Sequence, residues 1–247
     1  IRSVCGPVPV FGSSSSDGSV VDGGPTGRWW QLRGDLLAWE VSADSVVIAA
    51  LWLYRDASVA FLLSHLYGPE KGKSRVTKAS GRLLAEIEHR PAAEVLNEVS
   101  CGAIQHRLGG GSVLQEMARF PLALEHRRHL RLVQAKAVLE HGQVECFGPV
   151  VVGTVRFLHS KASDVTGAAT ALARRAAAKA TFEIRVALLA ISAMTAAALE
   201  DSQLQELADA IGEALPEFFC YFTFGEQGMV NDAAQHGNLM INMAIFG

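Results

Sequence analysis

The chain has 247 residues, of which 49% are hydrophobic and 19% charged, with a formal net charge of -3 and eight histidines. This composition excludes wholesale disorder and allows one large core or two modest ones. A pI of about 6.3 gives no basic face for nucleic acid, and no stretch reaches the ~18 uninterrupted apolar residues that a membrane span needs.

The four cysteines, Cys5, Cys101, Cys146 and Cys220, are widely spaced and form no CxxC pair. Zinc-knuckle and thioredoxin motifs are therefore absent. Cys146 and Cys220 lie in apolar runs and read as buried, reduced thiols. That predicts a reducing compartment and a cytoplasmic location. The chain opens on Ile1 and shows no signal peptide, so it is expected to be the later part of a longer protein.

Pro7 to Phe11 reads as the end of a strand. Gly12-Ser13-Ser14-Ser15-Ser16-Asp17-Gly18 follows as a loop. Such a loop can present N–H and hydroxyl donors to a ligand, or serve as a flexible linker. A hydrolase elbow would need Gly at position 16, where Ser stands. Ser45 to Tyr54 and Ser58 to Leu66 read as two strands of a hairpin buried on both faces. Gly68-Pro69-Glu70-Lys71-Gly72-Lys73 has the composition of a linker, and the boundary between two lobes is placed there, at residues 1–70 and 71–247.

Beyond it, Arg75 to Lys78 and Gly81 to Glu88 predict a second hairpin. Arg90-Pro91 opens a helix with Ala92, Val95, Leu96 and Val99 on one face. Gly109-Gly110-Gly111 lacks the Gly-Lys-Ser/Thr ending of a phosphate loop. Ser112-x-x-Gln115 has the pattern of a capping box before a short helix. Glu125-His126-Arg127-Arg128-His129 is not H-E-x-x-H and reads as a solvated turn rather than a metal site. Leu130 to Leu139 and Val144 to Phe147 predict a hairpin, and Val150 to His159 a further strand.

Ser163 can cap a helix from Asp164 to Ala180, striped by Val165, Ala168, Ala169, Leu172 and Ala176. Thr181 to Met194 reads as a central strand and Ser202 to Leu215 as a helix stopped by Pro216. Phe218 to Phe224 is aromatic, β-branched or Cys throughout and suits a buried strand. Gly225-Glu226-Gln227-Gly228 then predicts a tight loop. A loop with Asn231, Asp232 and Gly237 follows, and Asn238 to Phe246 completes a terminal hairpin. Glu226 would stand at the mouth of that hairpin, paired with a ligand ammonium or a backbone N–H. A plain hairpin with a solvated Glu is the structural alternative. The whole pattern is α+β: mixed, largely antiparallel sheets covered by helices, in two lobes. No catalytic set of acid, base and nucleophile is visible, so no enzyme is expected.

Several of these pieces resemble one family. Pro216-x-Phe218-Phe219-x-Tyr221-Phe222-Thr223-Phe224-Gly225-Glu226-x-Gly228 resembles the closing motif of FIST domains. Arg75-Val76-Thr77-Lys78-Ala79, followed by Arg90-Pro91-Ala92 and a helix, resembles the opening of the FIST C-terminal half. Arg119-Phe120-Pro121-Leu122 resembles its next marker. Gly12 to Gly18, with the two runs to Leu66, is similar to the tail of the N-terminal half. One departure stands out. Relatives often carry Cys and Arg after the strand that here ends near Met194, whereas this chain has Ile191-Ser192-Ala193-Met194-Thr195-Ala196. Ser192 takes the Cys place and no Arg stands nearby.

The resemblance implies a non-enzymatic, intracellular sensory domain of signal transduction, with an amino-acid-like small ligand. The candidate ligand-binding residues are Gly225, Glu226, Gly228, Gly12, Ser13, Ser14, Ser192 and Arg119. The alternative it implies is a recruiting module behind an F-box in a ubiquitin ligase, where the same surface holds a protein partner. No metal or cofactor is expected. The less favoured haem-based nitric oxide sensor would draw an axial ligand from His65, His159 or His236.

Overall fold

The computed structural model describes residues 8–14, 30–34, 38–43, 45–68, 70–126, 129–159, 162–197, 199–230 and 233–247. The chain begins with β1 (Gly12–Ser14), β2 (Trp30–Gly34), β3 (Trp39–Ala43) and β4 (Val59–Ser64). Next come β5 (Gly72–Ser80), β6 (Leu83–Ile87), β7 (Arg90–Pro91), α1 (Ala92–Val99), β8 (Gly111–Ser112) and α2 (Leu114–Met117). The middle continues with β9 (Leu122–His126), β10 (His129–Val133), β11 (Ala135–Val138), β12 (Val144–Cys146) and β13 (Gly153–Phe157). The last third holds α3 (Ala162–Lys179), β14 (Val186–Ser192), α4 (Ala193–Ala197), α5 (Asp201–Gly212), β15 (Phe218–Thr223), β16 (Gly225–Val230), β17 (Ala233–Gly237) and β18 (Ile241–Phe246).

The architecture is α+β. A nine-stranded antiparallel sheet runs β10-β9-β13-β5-β6-β12-β11-β8, with β7 added beside β6. A four-stranded sheet runs β15-β14-β18-β4, and its β14–β15 pair is parallel. β1, β16 and β17 form a three-stranded antiparallel sheet, and β2 pairs with β3.

Local chemistry accounts for these choices. β5 alternates burial along its length, as a strand with one wet face must. It turns into β6 at Gly81, where φ is +56, a value glycine adopts without cost. α1 buries Ala92, Ala93, Val95 and Leu96 and leaves Glu94 exposed. Together with β5, β6 and β9 to β13 it encloses one core, around Val76, Leu84, Ile87, Leu96, Leu122 and Val155. β18 is buried from Ile241 to Ile245, which fits its central place between β14 and β4. α3 and α5 cover that sheet with Val165, Ala169, Leu172, Leu207 and Ile211, making a second core. A third cluster, with Leu63, Tyr67, Leu132, Met194, Leu239 and Met240, lies where the two meet.

Several expectations need correction. Phe218 to Phe224 and Asn238 to Phe246 do not pair as a hairpin. β15 runs parallel to β14, β18 lies on the other side of β14, and the β16–β17 hairpin intervenes. A parallel pair needs a long crossover, and α4 with α5 supplies it. Gly225 to Gly228 is not a tight loop but the start of β16, held between β1 and β17. Gly12 to Ser14 is likewise a strand; Ser15 to Gly18 lie outside the described residues.

The run Ser45 to Tyr54 forms no strand. Val46, Trp52 and Tyr54 are 79%, 88% and 90% exposed. Its β-forming composition finds no partner among the described strands, since β4 pairs with β18 instead. Ser112 belongs to β8 and does not cap α2, whose N-cap is Val113. Ser163 lies inside α3 rather than before it, and Thr181 to Arg185 precede β14. α5 is capped from Glu200, with the Gln203 side chain returning to the Glu200 N–H at 2.9 Å. No helix is long and apolar enough to cross a membrane among the described residues.

Candidate functional site

β16 is the strand around which the site is built. Its pairing with β1 sets Gly12 opposite Gln227, Ser13 opposite Glu226 and Ser14 opposite Gly225. The Gly/Ser run and the terminal Gly-Glu-x-Gly, 211 or more residues apart in sequence, therefore meet edge to edge. Six of the eight predicted site residues share this sheet. Ser13 is exposed and hydrogen-bonds the Tyr221 side chain.

Glu226 does not stand at a solvent mouth. It is 0% exposed. Its Oε1 accepts from Thr223 Oγ1 at 2.6 Å and its Oε2 from the Met240 N–H at 3.0 Å. Burial pushes the carboxyl up to about 8, against the pull of those two hydrogen bonds and one from its own backbone. Near neutral pH the group is largely protonated, so it offers little charge to a ligand.

Ser192, at the end of β14, is also buried and lies opposite Thr223 in register. Its N–H donates to the Met240 carbonyl at 3.0 Å. Two predicted site residues thus clamp one backbone unit from both sides: Glu226 takes the N–H of Met240, and Ser192 supplies a donor to its C=O. The preceding residue, Leu239, sits at φ +57, an unusual conformation for a branched side chain. The clamp holds that strained turn.

Glycines on β16 are set by what they approach. A Cβ on Gly228 would lie 2.4 Å from Asn242 Oδ1 and 3.1 Å from Leu63 Cβ. Asn242, fully buried on β18, donates through Nδ2 to the Gln227 carbonyl at 2.6 Å. This ties the four-stranded sheet to the three-stranded one. A Cβ on Gly225 would meet His236 Cε1 at 2.6 Å.

Met240 faces a cleft of about 240 Å³. β4 and the residue after it contribute Leu63, Ser64 and His65 to its wall, and β10 contributes Leu130 and Arg131. β17 closes it with Gln235, His236 and Gly237. His65 and His236 share this cleft, while His159 packs against Phe120 with ring centroids 5.2 Å apart. Arg119 is elsewhere. It lines a second cavity of about 530 Å³ with Glu116, Phe120, Met194 and Ala197.

Sequence reasoning missed Arg131, Met240 and Asn242. Arg131 had a signal: a cation in the apolar run Leu130-Arg131-Leu132-Val133. Met240 and Asn242 had none, since their roles arise from sheet register. In the Glu125 to His129 run, Glu125 and His126 end β9 and His129 opens β10, while residues 127 and 128 lie outside the described residues. Among the described residues no group of three His, Cys, Asp or Glu is placed to hold a metal ion.

Comparison with known proteins gives one match. The family model described as FIST C domain matches residues 92–229, more than half of the chain. No curated protein and no solved structure matches.

Proposed function

This chain belongs to the FIST C domain family, a family of sensory domains linked to signal transduction, and on that premise we propose that it is a non-enzymatic cytoplasmic sensor whose small ligand sits in the cleft between His65, Arg131 and His236. The observation that carries the reading is the clamp on Met240. Glu226 is a buried polar side chain, and together with the Ser192 backbone N–H it fixes one wall of the cleft. Buried polar groups are costly unless they serve a defined geometry. The residues of the closing motif therefore serve the ligand from behind the wall rather than by touching it.

A cleft of about 240 Å³ is smaller than the ~300–1,000 Å³ usual for drug-sized ligands. An amino acid or a metabolite of that size is the class it suits. No resident cofactor belongs to this reading, and a Soret band in protein from haem-supplied cells would overturn that part of it.

The test is a thermal-shift screen of amino acids and related metabolites on the wild type and on His236→Ala. A ligand that binds only the folded state stabilises it by about 2.7 kcal/mol at a hundred times its Kd. For a domain of this size that is roughly 5–10 °C in Tm. A hit should lose most of its shift in His236→Ala. If nothing shifts the wild type, a second reading takes the lead: a recruiting module of the F-box type. The observation in its favour is the exposed apolar run from Val46 to Tyr54, a surface of the kind that protein partners cover.

A further inference from the structure

The charges in the cleft narrow the ligand's chemistry. Arg131, on β10, lines it. Its Nη2 donates to the Pro149 carbonyl, and its buried Nε–H has no acceptor. Among the described residues no carboxylate pairs with it, and burial alone bears on its pKa, downward. A half-buried cation with an unspent donor and no counter-ion is an incomplete arrangement.

Two histidines, His65 and His236, line the cleft as well. Tyr67 N–H donates to His65 Nδ1 at 3.3 Å. The Gln227 amide nitrogen donates to Ser14 Oγ at 2.9 Å and lies 2.7 Å from His236 Nδ1. Both rings are held below the ordinary histidine range by burial first; a bond with the Tyr67 backbone pulls His65 the other way, and a nearby cation adds to the lowering, Arg175 for His65 and Arg131 for His236. Arg175 reaches the cleft's edge, its Nη2 donating to Ser64 Oγ at 3.1 Å. Among the described residues no Asp or Glu lines the cleft, and Glu226 stands behind Met240, largely protonated.

We infer that this cleft is an anion site that receives the carboxylate of its ligand, with Arg131 as the ion-pair partner. The planar guanidinium suits a carboxylate, which can accept two parallel N–H bonds from it. The inference rests on the sensory reading above and adds the ligand's chemical class.

The experiment compares carboxylates with their amides on the wild-type protein at matched ionic strength: acetate with acetamide, lactate with lactamide, glycine with glycinamide. Binding is read by thermal shift and calorimetry. At least one carboxylate should bind, and its amide should bind at least ~10-fold more weakly. Arg131→Gln should abolish that preference, and Arg131→Lys, which keeps charge but loses the planar fork, should retain part of it. If amides or amines bind as well as carboxylates, or the preference survives Arg131→Gln, the anion site is wrong and the sensory reading stands. If no compound of any charge binds, both fall. The wild-type arms decide the matter even if Arg131→Gln does not fold.

Discussion

Glu226 Oε2 accepts the Met240 backbone N–H at 3.0 Å, from a position with no solvent exposure. The acid that marks the closing motif is therefore a protonated, buried strut. Its carboxyl, pushed up to about 8, makes the fold's stability depend on pH. In the unfolded chain the same group titrates near 4.5. Below that value both states hold the proton and nothing is lost. Between about 4.5 and 8 the unfolded chain releases it while the folded chain keeps it, so stability falls as pH rises. The full loss is on the order of 5 kcal/mol and is complete above the folded value.

Glu226→Gln should remove most of that slope. The Gln carbonyl can accept the Met240 N–H, and its amide can donate to Thr223 Oγ1. Urea unfolding at pH 5 and pH 8 provides the measurement. The wild type should be weaker at pH 8 by several kcal/mol, and the variant should be nearly level and stronger than wild type at pH 8. Equal slopes would mean that Glu226 titrates as an ordinary carboxylate and does not limit stability.

The two glycines of the motif should behave differently when given a methyl group. At Gly228 the new Cβ meets Asn242, itself fully buried and hydrogen-bonded to the Gln227 carbonyl, so neither side can yield. Gly228→Ala should cost about 1–3 kcal/mol or more, as overpacking does. At Gly225 the obstacle is the imidazole of His236, the end of a partly exposed side chain. Gly225→Ala should cost less in stability but displace His236 and weaken ligand binding. Denaturation and the ligand screen, run on both variants, separate these effects. Equal destabilisation would contradict the packing argument.

How far the sequence carried this argument depended on where each signal lived. The β5–β6 hairpin was legible because its period-2 pattern and its Gly81 turn are local. Helices α1, α3 and α5 were legible from their apolar stripes. The pairing of Gly12 to Ser14 with Gly225 to Gln227 comes from sheet register and has no local signal. What failed was long-range pairing. The runs Phe218 to Phe224 and Asn238 to Phe246 look alike to periodicity, whether they pair with each other or flank β14. Glu226 looked solvated because charge and glycine suggest a loop. Only the tertiary contacts with Thr223 and Met240 allow a carboxyl to be buried there. The same applies to Ser45 to Tyr54, whose composition fits a strand that has no neighbour to join.

The thiols should react in order of burial. Cys101, Cys146 and Cys220 are all free; Cys5 lies outside the described residues. Cys101 is exposed and should be the first of these three to react with an aromatic disulfide reagent in the native state. Burial pushes the Cys220 thiol up to about 11 and the Cys146 thiol up to about 12, which suppresses the reactive thiolate. Cys220 should react slowly, and Cys146 only as the protein unfolds. Titration in denaturant without reductant should count four thiols. A count of two or none would mean disulfides and would end the cytoplasmic reading.

Tyr67 separates stability from ligand binding. Its hydroxyl donates to the Ala118 carbonyl at 2.8 Å and lies 3.5 Å from Thr195 Oγ1, deep in the cluster between the two main cores. Its backbone N–H, not its side chain, fixes His65. Tyr67→Phe keeps the ring and removes the hydroxyl, which leaves the Ala118 carbonyl short of a partner. That should cost about 1–3 kcal/mol. Tyr67→Ala also empties the ring's volume and should cost about 3–5 kcal/mol. Affinity for any ligand found in the cleft should be nearly unchanged in Tyr67→Phe, because the bond to His65 comes from the Tyr67 backbone and not from its hydroxyl. Urea midpoints and calorimetric titration on the same preparations decide it. A stable Phe variant would show that the hydroxyl bond contributes little. A stable Phe variant that has also lost ligand binding would place the Tyr67 hydroxyl in the ligand site, and the wall of the cleft would have to be redrawn.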